Sequence, residues 1–264
     1  MGVRVGASVS QVPKINFVVA GAQKSGTTAL RHFLSQHPQI GVCRPEVREP
    51  HFFSCHYLKH APGDYAPYHA MFSPQALAAR ATGDITPVYM YLDGCLERIR
   101  DYNPNMKIIV LLRNPVLRAR SQWAMNVERN PAFGGFARSL VSEQVRRLRV
   151  PQDVERFLLQ RGFYSEQLQR LFRIFPRQNC LVLKHETFRA NHAETLAQIY
   201  GFLGLDTVPP PVQETVHARA YTPMPQWLHA ALIAVYYRDI RRVEAMLGWD
   251  CSDWLRLPRG GATG

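Results

Sequence analysis

The residues with the clearest chemical potential lie between Gly21 and Thr28, in the string G-A-Q-K-S-G-T-T. Gly21, Ala22, Ser25 and Gly26 let a backbone come close to a ligand, while Lys24 and the hydroxyls of Thr27 and Thr28 add donors. An apolar run precedes them (Ile15, Phe17, Val18, Val19) and reads as a buried strand. Leu30, Phe33 and Leu34 follow at helical spacing. A strand that ends in small residues and opens directly into a helix leaves the first helical N–H groups facing the loop, and that arrangement binds phosphate or sulfate. In the nucleotide-hydrolase loop the lysine follows the second glycine and the next Ser/Thr holds magnesium. Here Lys24 comes before Gly26.

A second candidate anion site lies downstream. Residues 107–112 (KIIVLL) read as a buried strand that ends in Arg113-Asn114-Pro115 and runs into a helix. A magnesium-dependent phosphotransferase would typically end such a strand in Asp. Arg113, with Ser121 two helical turns later on the same face, suits a terminal phosphate monoester, because a guanidinium fork matches phosphate oxygens bidentately. Between the two sites, a polar stretch runs to R-E-P-H-F-F at 48–53, and Pro45 and Pro50 make it a loop. Phe52 and Phe53 are expected to anchor it, leaving Glu49 and His51 able to reach a site. The plain alternative for Glu49 is a surface pair with Arg44 or Arg48.

The G-A-Q-K-S-G-T-T loop resembles the 5′-phosphosulfate loop of sulfotransferases that use 3′-phosphoadenosine 5′-phosphosulfate. A K-x-G-T-T loop followed by E-x-x-F-F is similar to the Golgi-type heparan sulfate sulfotransferases and their bacterial relatives. That resemblance implies that Glu49 is the catalytic base with His51 beside it, and that Lys24, Ser25, Gly26, Thr27 and Thr28 hold the 5′-phosphosulfate. R-N-P followed by R-x-x-S resembles the family's 3′-phosphate motif, which falls on Arg113 and Ser121. Thr82-Gly83-Asp84-Ile85-Thr86-Pro87-Val88-Tyr89 resembles G-E-x-[ST]-P-x-Y, with Ile85 where the glycan 3-O-sulfotransferases carry a lysine. Residues 56–68 are similar to the family's acceptor-cleft region. Tyr164, in a G-x-Y-x-x-x-L helix start, is either a nucleotide contact or a core aromatic. His217 to Pro223 resembles the cofactor loop K-G-R-x-Y-P: Arg219 matches its arginine, and His217 replaces its lysine. The disulfide that closes this loop in the Golgi enzymes is excluded, because no cysteine lies between Cys180 and Cys251.

These residues need a scaffold, and the chain has room for one. Its 264 residues, 46% of them hydrophobic, suit one large domain, with residues 1–13 expected to be a flexible N-terminus. Apolar runs at Ile15, Lys107 and Cys180, each followed by a helical pattern, predict a three-layer α/β domain with a central parallel sheet and a ligand site at the strand C-termini. The resemblance implies a P-loop-like sulfotransferase fold. Helices are expected over 74–80, 92–102, 195–203 and 227–247, with a basic helix pair over 141–159 that reads equally as an acceptor-side lid or as a solvated helical face.

The formal charge of +12 admits nucleotides, acidic glycans and nucleic acid as ligands, but the arginines are scattered and form no basic tail. Five widely spaced cysteines without metal-binding spacing read as free thiols. With no signal-peptide pattern and no run of about 18 apolar residues, the expectation is a cytoplasmic protein without stable membrane insertion or a nucleic-acid partner. The function expected is sulfuryl transfer, without a metal, to a hydroxyl or amine of a small molecule or saccharide. A small-molecule kinase and a non-catalytic polyanion-binding protein are the alternatives.

Overall fold

The structure, a computed structural model, describes residues 14–56, 60–61, 63–149, 157–209 and 224–257. Its strands are β1 (Phe17–Gly21), β2 (Ile40–Val42), β3 (Ala81–Ile85), β4 (Lys107–Leu112) and β5 (Cys180–Lys184), all parallel, in the order β2-β3-β1-β4-β5. The three apolar runs became β1, β4 and β5. They show no alternation because the sheet is covered on both faces.

One face, through Val18, Ala20, Ile108, Val110 and Val182, packs on α4 (Cys95–Tyr102), α5 (Pro115–Arg129), α7 (Tyr164–Ile174) and α10 (Gln226–Leu247). The other, through Phe17, Val19, Ile109, Leu111 and Leu183, packs on α1 (Thr27–Leu34), α8 (His185–Ala190) and α9 (His192–Leu203). This is the expected three-layer α/β architecture. From β1 the chain moves outward to β2 and β3 on one side and to β4 and β5 on the other. The crevice beyond β1 and β4 is therefore the topological switch point, where open parallel sheets bind ligands.

Several expectations shift. The 92–102 helix begins at Cys95, after Gly94 in the left-handed region, and the basic helix begins earlier, as α6 (Phe136–Arg149). The second half of that expected pair falls partly on 150–156, outside the described residues. Strands β2 and β3 and helix α8 were not anticipated. Cys43, Cys95, Cys180 and Cys251 are buried free thiols, as expected, and burial raises Cys43 and Cys95 to about 11. Among the described residues, no helix is long and apolar enough to cross a membrane.

Close packing at the sheet centre gives a test. A Cβ at Gly83 on β3 would overlap the fully buried ring of Phe17, its register partner on β1. Gly83→Ala should cost about 1–3 kcal/mol of stability through overpacking. Urea unfolding measures this, and an unchanged midpoint would contradict the packing described.

Candidate active site

Four strands deliver site residues at or just beyond their C-terminal ends: β1 the 21–26 loop, β3 Thr86, β4 Arg113 and β5 His185. The loop is held from several sides. Ala22 N donates to Leu111 O on β4 (2.8 Å), and Ser25 N closes a turn onto Ala22 O (3.2 Å). Lys24 and Gly26 both have positive φ (71° and 91°), and no side chain caps the first N–H groups of α1. Those donors are thus free for an anion. Ser25 Oγ is buried with no hydrogen-bond partner among the described residues, Thr27 is buried and Thr28 is exposed. Lys24 Nζ donates to Met125 Sδ of α5 (3.5 Å).

The two anion motifs meet. Arg113 Nη1 donates to Lys24 O at 3.2 Å, across 89 residues of sequence. Asn114 caps α5 by accepting from Val116 N and Leu117 N, which fixes the turn that presents Arg113. Ser121 lies on the same helix and is buried. Tyr164 is packed in the core. It is 0% exposed, its hydroxyl donates to Arg113 O (2.9 Å), and it acts behind the site as a core aromatic. Arg219 and His217 lie outside the described residues.

Glu49 pairs with His51, not with Arg44 or Arg48. Its Oε2 is 3.1 Å from His51 Nε2, with both side chains about one-third exposed (36% and 34%). His51 has φ 52°, its Nδ1 is 3.3 Å from Ser54 Oγ, and its backbone N donates to Thr86 Oγ1 (3.4 Å). Thr86 Oγ1 in turn donates to the buried Asp84 Oδ1 (2.6 Å), whose other oxygen accepts from Tyr68 (3.0 Å) and Tyr89 (2.9 Å). Burial pushes the Asp84 carboxyl up to about 6 in spite of these three donors. Phe53 N donates to Tyr89 Oη (3.3 Å), so Asp84 organises the 51–53 segment through both Thr86 and Tyr89.

Other expectations are corrected. Ile85, at the family's lysine position, is 3% exposed and belongs to the core, in keeping with the departure noted in the sequence. Tyr68, expected along the acceptor cleft, is a core residue stacked on Phe52 (ring centroids 4.7 Å apart) and edge-on to Phe72 (5.6 Å). The first half of the basic helix pair is tied inward. Glu143 of α6 is fully buried and accepts from Leu158 N, Leu159 N and Gln160 N at 2.7 to 3.1 Å.

Sequence reasoning also missed two supports of the loop. Arg161 donates to Gln23 Oε1 and lies over the Tyr91 ring (5.1 Å). His185 sits against the loop, so that a Cβ at Gly26 would stand 2.8 Å from its Nδ1. Only tertiary structure brings either residue to the loop, and no local pattern announces them. Burial, then the nearby Arg113 cation, push the His185 imidazole down to about 4.

A three-layer α/β fold with an uncapped helix start at its switch point, and an arginine closing over it, defines a P-loop-like anion-binding scaffold. Within that class the chain belongs to the sulfotransferase family: the sulfotransferase domain matches residues 14–226. It is 31% identical to human heparan sulfate glucosamine 3-O-sulfotransferase 6 over 191 residues, which is 72% of this chain and 52% of that protein. The mouse counterpart matches to the same extent, so the chain spans about half the length of the curated relatives it matches. A sulfotransferase structure from Alicyclobacillus acidocaldarius is similar with a TM-score of 0.78 and 29% identity, covering 92% of this chain and 99% of that one. The sulfotransferase domain from the curacin biosynthetic pathway shares the fold, with a TM-score of 0.52, 15% identity, and coverage of 91% and 99%.

The His185 environment sets a pH dependence. Below the ordinary imidazole range near 6.5 the unfolded chain takes up a proton that the folded protein refuses until about 4. Acidification from 6.5 to 4 therefore favours unfolding, by up to about 3 kcal/mol from this group. Denaturant titrations across that range should show His185→Gln losing less stability on acidification than the wild type. Parallel curves would contradict the half-buried imidazole held neutral against the loop.

Proposed function

We propose that this protein transfers a sulfuryl group from 3′-phosphoadenosine 5′-phosphosulfate to a hydroxyl or amine of a small-molecule or saccharide acceptor. The observation that carries the reading is the contact of Arg113 with the Lys24 carbonyl. It sets a guanidinium beside an anion loop, so one ligand with phosphate at one end and phosphosulfate at the other can span both. The buried, unpartnered Ser25 hydroxyl and the uncapped start of α1 fit the phosphosulfate end. Family membership and the similarity to heparan sulfate 3-O-sulfotransferases support the same donor and admit a saccharide acceptor.

The donor supplies an activated sulfur bonded to a good leaving group. Residues of this chain would do the rest. Glu49 takes the acceptor's proton, oriented by its bond to His51. Lys24, the α1 N–H groups, Thr27 and Thr28 stabilise negative charge growing on the departing phosphate oxygen. Arg113 and Ser121 hold the 3′-phosphate, with Tyr164 fixing the Arg113 backbone from behind and Arg219 as a further cofactor ligand. Met125 beside Lys24 gives the transfer centre a thioether wall.

Transfer of radiolabel from the sulfur-labelled donor to a panel of phenols, amines and heparosan-type oligosaccharides tests this. Lys24→Ala should lower turnover by about 10²–10³-fold. Glu49→Gln should lower it by about 10²–10⁴-fold while leaving nucleotide affinity near that of the wild type. Wild-type turnover in Glu49→Gln would remove Glu49 as base and move the role to His51. No transfer by the wild type to any acceptor in the panel would count against the acceptor classes named here.

A further inference from the structure

Arg31 lies one turn after Thr27 on α1, facing the loop that carries Glu49. Its two terminal nitrogens meet four backbone carbonyls of that loop. Nη1 donates to Val47 O (3.2 Å) and Arg48 O, and Nη2 donates to Cys43 O (3.2 Å) and Arg44 O (3.4 Å). Four N–H groups in one plane match four acceptors. A lysine ammonium has three, radiating from a single point.

The caged segment runs directly into Glu49. It has modest support of its own: Val47 N donates to Arg44 O (2.9 Å), Arg44 N to Met71 O (3.0 Å) and the Cys43 thiol to Val47 O (2.8 Å). Downstream the anchor is firmer, because Phe52 and Phe53 are fully buried and His51 N is bonded to Thr86. Glu49 thus stands between a fixed point on the core and a fixed point on the helix that opens from the anion loop. Of the contacts described, the Arg31 cage is the one that ties the Glu49 loop to that helix directly.

We propose that Arg31 is a positioning residue. By caging the carbonyls of residues 43–48 it sets the register of the Glu49–His51 pair against the anion loop, so that proton acceptor and sulfuryl donor are held by one helix. The inference rests on the donor and base assignments proposed above. Without the guanidinium, the segment that leads into Glu49 keeps its bonds to Met71 and Phe72 but loses its tie to α1, so that helix no longer sets the distance of Glu49 from the donor loop.

Hydrogen exchange and imidazole NMR on the full chain test it with Arg31→Met and Arg31→Lys. Arg31→Met should speed exchange of the Arg44 and Val47 amides about tenfold or more while β1 and β4 amides keep wild-type rates. In the wild type, saturating 3′-phosphoadenosine 5′-phosphate should shift the His51 imidazole resonances, and in Arg31→Met that shift should fall by about half or more although the nucleotide still binds. Arg31→Lys should fall between the two, and it carries the test alone if the Met variant does not fold. A general loss of stability would speed exchange everywhere. Unchanged 44–47 exchange, exchange raised equally throughout the sheet, or an undiminished His51 response would each overturn the proposal. If the nucleotide fails to bind the wild type, the donor assignment falls while the exchange result still decides the cage.

Discussion

The site depends on one constraint: the first N–H groups of α1 must stay free of protein partners at the end of the central strand. Any side-chain cap at Gly26 would compete with an anion, and Gly26 provides none. A residue with a Cβ would also be strained at φ 91° and would press on His185. An uncapped helix start is costly unless its surroundings are fixed, and here they are. Leu111 holds Ala22, Arg113 holds the Lys24 carbonyl and Arg161 holds Gln23. Each of these supports comes from a different stretch of chain, so the loop is shaped by the assembled sheet and not by its own sequence alone.

The Glu49–His51 side is built on a different principle. Asp84 is fully buried, and a carboxylate there is tolerable because three hydroxyls donate to it. Two of those hydroxyls, on Thr86 and Tyr89, also accept backbone N–H groups of His51 and Phe53. The buried acid therefore dictates where the exposed pair stands. It is a structural hub with no direct contact to Glu49, and its effect on the site passes through backbone position.

How much of this was legible follows from where the information lies. β1, β4 and β5 were readable because burial on both faces leaves unbroken apolar runs. The anion loop and Arg113 were readable because glycine, lysine and arginine sit at strand ends in a fixed order. β3 was not, since its sequence ATGDI carries Thr82 and Asp84, whose polar atoms find partners only after folding. β2 is three residues long and gives almost no periodic signal. Glu49 and His51 were both picked out, but their contact with each other and the positive φ at His51 appear only in the folded chain. Tyr164 shows the limit of a motif position: it left a nucleotide contact and a core aromatic both open, and only the packing shows the side chain buried.

The central claim is that the loop and Arg113 together form a site for a 3′-phosphorylated adenine nucleotide. Calorimetric titration with 3′-phosphoadenosine 5′-phosphate, with ATP plus magnesium in parallel, tests it most directly. The account predicts micromolar binding of the former in the absence of added metal, lost in Arg113→Ala. Preference for ATP with magnesium, or no binding of either nucleotide, would contradict it.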